Sequence, residues 1–317
     1  MRDWGLGTGD WGWQIRARLV SACVFALFAL FAPVAIAAPF TFENIEFWVG
    51  TGVNRAGLVI DGQENAPDPP ALVWGYRWDG TATGAQMLTD ILVADDRFFA
   101  KLGGTPANPT AVYGLGYDAD NDRLFGLNDG TAFDAAGIAF TDPADLAVAT
   151  DPADYYAEGW YTGFWHYGVA LMNPYNGGAW SDTPKGMAGR MLTDGAWDSW
   201  TFSPTFNFAA FAANPQAAAS PYPLGDYDHS GVVDAGDYHH WKQRFGSTMD
   251  PSADGNHNGI VDAADYTVWR NQRANNTKAS GNGALVVPEP VSLGLAIVAL
   301  LVYQLRKRGT LICTNPR

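Results

Sequence analysis

The sequence predicts an α+β fold: a mostly antiparallel, β-rich main domain with one main helix, then a small all-α pair of loop–helix units. Three observations lead there. The 317 residues include 13 Trp and 36 Gly, a composition that favours short strands and turns over a helical bundle. One apolar segment, beginning near Thr83, has helical spacing. Two acidic stretches, beginning at Asp226 and Asp254, repeat one another, and each runs into a short amphipathic segment. With 47% hydrophobic residues the chain can bury a core, which excludes global disorder.

The elements follow in order. Residues 41–49 alternate and read as a strand, as do the apolar runs 56–60 and 71–78. The Pro-rich segment 67–70 between the last two reads as a loop. Met87, Leu88, Ile91, Leu92 and Phe98 then recur at helical spacing, predicting a helix over 83–100 with Thr83 as N-cap and Gly103-Gly104 as its stop. Residues 111–117, 160–172 and 187–202 read as strands, separated by Asp-Gly and Asn-Gly-Gly turns. The main domain spans 38–208. An Ala- and Pro-containing linker fills 209–222, the loop–helix pair 223–274, and a second linker 275–286.

The formal net charge is −14, which argues against nucleic acid as a partner and fits a solvated surface or a cation binder. The two cysteines, Cys23 and Cys313, both fall in terminal segments with the marks of targeting, so the folded part is expected to hold without a disulfide.

Arg16 and Arg18 precede an apolar run over 19–36, and Ala35-Ile36-Ala37 supplies small residues for cleavage after Ala37. Residues 1–37 therefore read as a secretory signal peptide, with an uncleaved anchor as the alternative. At the other end Val287-Pro288-Glu289-Pro290 precedes an apolar stretch over 291–305, then Arg306-Lys307-Arg308. The stretch is short for a membrane span but workable, and its basic cluster favours the cytoplasmic side. This trio over 287–308 resembles the PEP-CTERM sorting signal. The resemblance implies an exosortase-type processing protease and delivery to the cell envelope or the extracellular space. A plain C-terminal anchor is the alternative, and the chain departs from the pattern by continuing through 309–317.

The repeat near the C-terminus carries the most specific chemistry. Asp226, Asp228, Ser230, Gly231, Asp234 and Asp237 match Asp254, Asn256, Asn258, Gly259, Asp262 and Asp265. These are positions 1, 3, 5, 6, 9 and 12 of a twelve-residue calcium loop. Calcium wants six to eight oxygens; alternate side chains supply several, and Gly at position 6 permits the sharp turn. Val232 and Ile260 at position 7 offer backbone carbonyls, leaving their side chains free to face a core. Tyr238 and Trp241 in the first helix match Tyr266 and Trp269 in the second, and lie on one helix face, where they can pack between the copies. The pattern over 223–274, with Asp at position 12, resembles a type I dockerin. That implies two calcium ions and, in cellulose-degrading systems, a cohesin partner. Positions 10 and 11 hold Ala235-Gly236 and Ala263-Ala264, without the hydroxyls such docking uses, so a calcium-stapled structural module is an equal expectation. Histidines at position 4, His229 and His257, are expected to face solvent and not to bind metal.

In the main domain the blocks ALVWGYRWDGTATGAQML and GRMLTDGAWDSWTFSP resemble a domain of exported surface proteins with the same kind of tail. The order of strand, helix and aromatic strand also resembles the small β-grasp module of transcobalamin-like proteins, which implies a corrinoid-type cofactor. Asp118, Asp120 and Asp122 begin like another calcium loop, but Arg123 stands where the turn Gly belongs, so a solvated acidic turn is expected. Asp95 and Asp96 are adjacent on a predicted helix and point apart. His166 is the one histidine of this domain and lacks a nucleophile elbow, so a triad is unsupported. Most Trp residues are expected in the core; Trp160, Trp165, Trp180 and Trp197, near Gly-rich turns, are the candidates for stacking on a sugar or other flat ligand. The leading expectation is a non-catalytic surface protein that binds an extracellular glycan. The alternatives are a polysaccharide-processing glycoside hydrolase or its docking subunit, and a corrinoid binder.

Overall fold

The computed structural model describes residues 38–62, 71–206 and 211–279. The signal-peptide, sorting-signal and tail segments, both cysteines and the 67–70 loop lie outside them. Among the described residues no helix is long and apolar enough to cross a membrane; the expected span at 291–305 also lies outside.

The fold is α+β, and the described residues build two mixed sheets and three α-helices. The first sheet takes β1 (Trp48–Gly50), β2 (Asn54–Asp61), β3 (Ala71–Trp78), β8 (Phe164–Ala170), β9 (Ser181–Asp182), β10 (Ala196–Ser203) and β11 (Pro215–Ala217). Its order is β1-β3-β2-β10-β8-β9, with β11 sharing the β1 edge of β3. The hairpin β2–β3 and the pair β8–β10 are antiparallel, while β10 runs parallel to β2 in the centre. The second sheet, in the order β6-β4-β5-β7, takes β4 (Phe98–Thr105), β5 (Asn108–Tyr117), β6 (Ile138–Phe140) and β7 (Tyr155–Glu158). The pairings β2–β3, β8–β10 and β4–β5 are antiparallel, but the six-residue β2–β10 pairing and the contacts of β1, β6 and β11 are parallel, so both sheets are mixed.

Helix α1 (Gly84–Ala94) begins where the sequence places it, with the Thr83 hydroxyl accepting from the Gln86 N–H. It ends earlier than the 83–100 expectation. Asp95, fully buried, caps the end and accepts from Trp74 Nε1 at 2.9 Å and Arg97 Nε at 2.8 Å. Phe98 then opens β4, because the hairpin with β5 satisfies the backbone over Phe98–Thr105. Met87, Leu88, Ile91 and Leu92 join Trp74, Trp200, Phe202 and Phe98 in one core.

Other expectations shift as well: the predicted strands 160–172 and 187–202 become the shorter β8 (Phe164–Ala170) and β10 (Ala196–Ser203). Residues 42–44 form a 3-10 turn, so of the predicted 41–49 strand only Trp48 and Val49 join a sheet, in β1. The segment read as a linker carries β11, which pairs with β3, and its Ala219 carbonyl accepts from Arg97 at 2.6 Å.

β10 is buried along its whole length, on both faces. Trp200 and Phe202 face the helix-side core, where Tyr167 stacks on Trp200 at 4.5 Å. Trp197 faces the other way and stacks on Phe42 at 4.9 Å. On that face Trp48, Gly75, Gly57 and Trp197 form one row across β1, β3, β2 and β10. The two glycines leave room for the two indoles, and a Cβ on Gly57 would lie 2.6 Å from the Trp197 ring.

Helices α2 (Ala235–Arg244) and α3 (Ala263–Ala279) follow the two acidic loops and pack on each other. Their core is Tyr227, Val233, Ala253, Val261 and Trp269, with Tyr238, Trp241 and Tyr266 against it. The tyrosines and tryptophans pack between the copies as their spacing predicts.

Candidate metal centres

Each loop is shaped by its position-1 aspartate. Asp226 accepts from the Ser230 and Gly231 N–H groups at 3.0 and 2.7 Å; Asp254 accepts from Asn258 and Gly259 at 3.1 and 2.7 Å. The position-12 aspartates close the loops in the same paired way. Asp237 accepts from the Asp228 and Asp234 N–H groups, and Asp265 from those of Asn256 and Asp262. Positions 4 and 6 are left-handed in both copies, His229 and Gly231 in one, His257 and Gly259 in the other. Asp226, Asp228 and Asp237 bring carboxylate oxygens within 4.8 Å of one another, an arrangement that could hold a metal ion such as calcium.

Electrostatics favour a cation there. Asp226, Asp237, Asp254 and Asp265 are all buried. Burial raises the carboxyl pKa of Asp226, Asp254 and Asp265 above the ordinary value. Buried carboxylates are strongly penalised unless paired, and a bound cation removes that penalty.

The two halves lock reciprocally. Trp241 Nε1 donates to the Asp262 carbonyl of the second loop at 2.8 Å, and Trp269 Nε1 donates to the Asp234 carbonyl of the first at 2.7 Å. The module also grips the main domain. Arg77 Nη1 donates to the Thr248 carbonyl at 2.9 Å, and the Gly52 N–H donates to the Met249 carbonyl at 2.9 Å.

One expectation is corrected at position 7. Val232 and Ile260 are 58% and 46% exposed, while their neighbours Val233 and Val261 face the core. Adjacent residues of an extended backbone point to opposite sides, so burying Val233 and Val261 turns Val232 and Ile260 outward. Among the described residues the potential metal clusters consist of aspartates alone. His229 stacks on Tyr222 at 4.1 Å, and His240 meets Ser252 Oγ at 2.8 Å.

The acidic stretch at Asp118 differs from its expectation. Arg123 takes the left-handed conformation that the missing Gly would supply, with φ 68°. Asp118 is buried, and Asp118, Asp120 and Asp154 form a second cluster, with Asp120, Asp122 and Asp151 a third. Asp151 and Asp154 escaped sequence reasoning; the only signal was an Asp-rich turn before an alternating strand. Burial, then the nearby Asp118, pushes the Asp154 carboxyl up to about 6.

The aromatic candidates separate by burial. Trp197 is fully buried and Trp165 nearly so, its Nε1 donating to the Ala157 carbonyl at 3.1 Å. Both fill the interior because their strands are covered on two faces, and neither is open to a ligand. Trp180 is half-buried beside Tyr175 and Phe211. Trp160 is 44% exposed and sits edge-on to Tyr113 at 5.0 Å, with the 68% exposed Tyr161 next to it. Their backbone N–H groups are both held by the Asp145 carboxylate.

Of the ionisable groups in the main domain, several buried ones are engaged in ion pairs. Asp95 pairs with Arg97, and Asp96 is exposed. His166 Nε2 lies 2.7 Å from Asp182, and its ring packs on Phe211. Glu158 pairs with Lys101 at 2.8 Å and Asp198 with Arg190 at 3.3 Å, both in buried surroundings. Comparison with known proteins yields no match: no family model, no curated protein and no solved structure.

Proposed function

We propose that this chain is an exported, non-catalytic protein of the cell envelope or extracellular matrix, whose dockerin-like module binds two calcium ions and clamps its own main domain. The observation that carries the reading is the duplicated loop: two sites with the same hydrogen bonds, the same left-handed positions and buried carboxylates that a cation would neutralise. The contacts of Arg77 and Gly52 with residues 248 and 249 support a structural role over cohesin docking. The terminal segments support secretion, exosortase-type processing and transient or C-terminal membrane anchoring.

The exposed pair Trp160 and Tyr161, on a backbone pinned by Asp145, supports glycan binding by the main domain. The buried carboxylates Asp95, Glu158 and Asp198 are each tied to a cation, which disfavours them as the acid–base pair of a glycoside hydrolase. A corrinoid-type binder draws support from one feature: hairpin β2–β3, then α1, then β8 and β10, with β10 parallel to β2, follows the order of a β-grasp. Thermal unfolding of the full chain with calcium and with chelator tests the clamp. A chelator-sensitive transition supports it, and identical profiles refute it. A glycan array tests the ligand, and a silent array refutes that part alone. A cobalamin absorption shift would favour the corrinoid alternative.

A further inference from the structure

The turn after β5 repeats the first half of the module's loops. Asp122 N–H donates to Asp118 Oδ1 at 3.2 Å, and Arg123 N–H to Asp118 Oδ2 at 2.9 Å. Ser230 and Gly231 bind Asp226 in the same way, at 3.0 and 2.7 Å. Asn121, with φ 57°, matches His229, with φ 58°. Asp118, Asp120 and Asp122 thus stand at positions 1, 3 and 5. The turn has no position 12 of its own, and this geometry alone describes only an acidic turn.

Asp154 supplies the independent observation. It is 8% exposed; its Oδ1 accepts from the Ala119 N–H at 3.3 Å, while its buried Oδ2 has no hydrogen-bond partner. Its carboxylate meets those of Asp118 and Asp120 with oxygens within 4.8 Å. Tyr117 and Tyr155 are register partners in β5 and β7, and this pairing places Asp118 and Asp154 at the same end of the ladder. Asp95, Glu158 and Asp198 each have a cationic partner; among the described residues no Lys, Arg or His forms an ion pair with Asp118 or Asp154. Two buried carboxylates facing each other beside further acids lack a counter-charge. An all-oxygen donor set selects a hard cation of the calcium class over zinc, which favours nitrogen and sulfur.

We infer that Asp118, Asp120, Asp122 and Asp154, with Asp151 at the rim and the Leu124 carbonyl at position 7, form a third calcium site, a half-loop closed by an aspartate from the neighbouring strand. The ion fastens the base of the excursion between β5 and β7. It is separate from the two sites of the module.

Titration of the full chain with calcium alone, read as ions bound per chain, tests this. Wild type is expected to bind three ions and Asp154→Asn two. Asp120→Asn alters an exposed side chain and is expected to cause the same loss, so a folding defect in Asp154→Asn does not decide the matter. Asp237→Ala combined with Asp265→Ala leaves one ion. Two ions in wild type, Asp120→Asn and Asp154→Asn alike overturn the third site and leave the module intact. A single ion in wild type, abolished by Asp120→Asn, sustains the third site and overturns the module.

Discussion

Trp197 lies against Gly57, its register partner in the central parallel pair of the first sheet. A methyl group on Gly57 would sit 2.6 Å from the indole, which Phe42 holds from the far side. Gly57→Ala is therefore expected to destabilise the main domain by about 1–3 kcal/mol through overpacking. Urea unfolding followed by Trp fluorescence checks it, and an unchanged midpoint would show that the row can relax.

Calcium removal is expected to act on the module first. Without ions, its four buried carboxylates stand uncompensated in a unit too small to hold itself by its core. Chelator should abolish the helical signal of α2 and α3, and Asp237→Ala should remove one bound ion. Circular dichroism with calcium back-titration reads both.

Acid is expected to loosen the second sheet. Burial opposes the charge of Asp129, but hydrogen bonds from Lys101 and Thr131 hold its carboxyl at about 2, below the ordinary 3.8. A depressed carboxyl contributes stability above its unfolded value and loses it as pH falls, here between about 3.8 and 2. Glu158, opposed by burial but bound by Lys101, is shifted in the same direction. Lys101→Met, which strands buried Glu158, should cost about 3–5 kcal/mol at neutral pH. Denaturant midpoints across this pH window, for wild type and variant, measure both effects.

Trp160→Ala is expected to change stability by less than about 1 kcal/mol, since the side chain is half in solvent. It should abolish any saccharide binding found for the wild type. Retained binding would move the contact surface elsewhere.

Much of the fold was legible in short-range patterns. The apolar run 71–78 stands as β3, Thr83 caps α1, and the acidic loops carry fixed spacing. Long-range partners decided what was not. Phe98 fits the helical period of Met87 to Leu92, yet the backbone pairing with Tyr117 draws it into a strand. The 209–222 segment looks like a linker until β3 offers it an edge. Val232 and Ile260 are apolar but point outward, while the adjacent Val233 and Val261 take the core positions. Arg123 hid the third acidic loop, since a non-Gly residue rarely adopts its conformation. Asp154 could not be paired with Asp118 before the ladder of β5 and β7 was known.

The parallel pairing of β2 with β10 joins Ala56 to Ala196, positions at opposite ends of the main domain. As the chain is synthesised, the hairpin β2–β3 is complete early, but its β2 edge stays bare until β10 arrives. Among the described residues nothing nearer in sequence closes that edge, and closing so long a loop is entropically slow. The order of synthesis thus leaves the β2 edge unsealed for most of the main domain's emergence, and β10 is the latch that ends that edge's exposure to wrong partners.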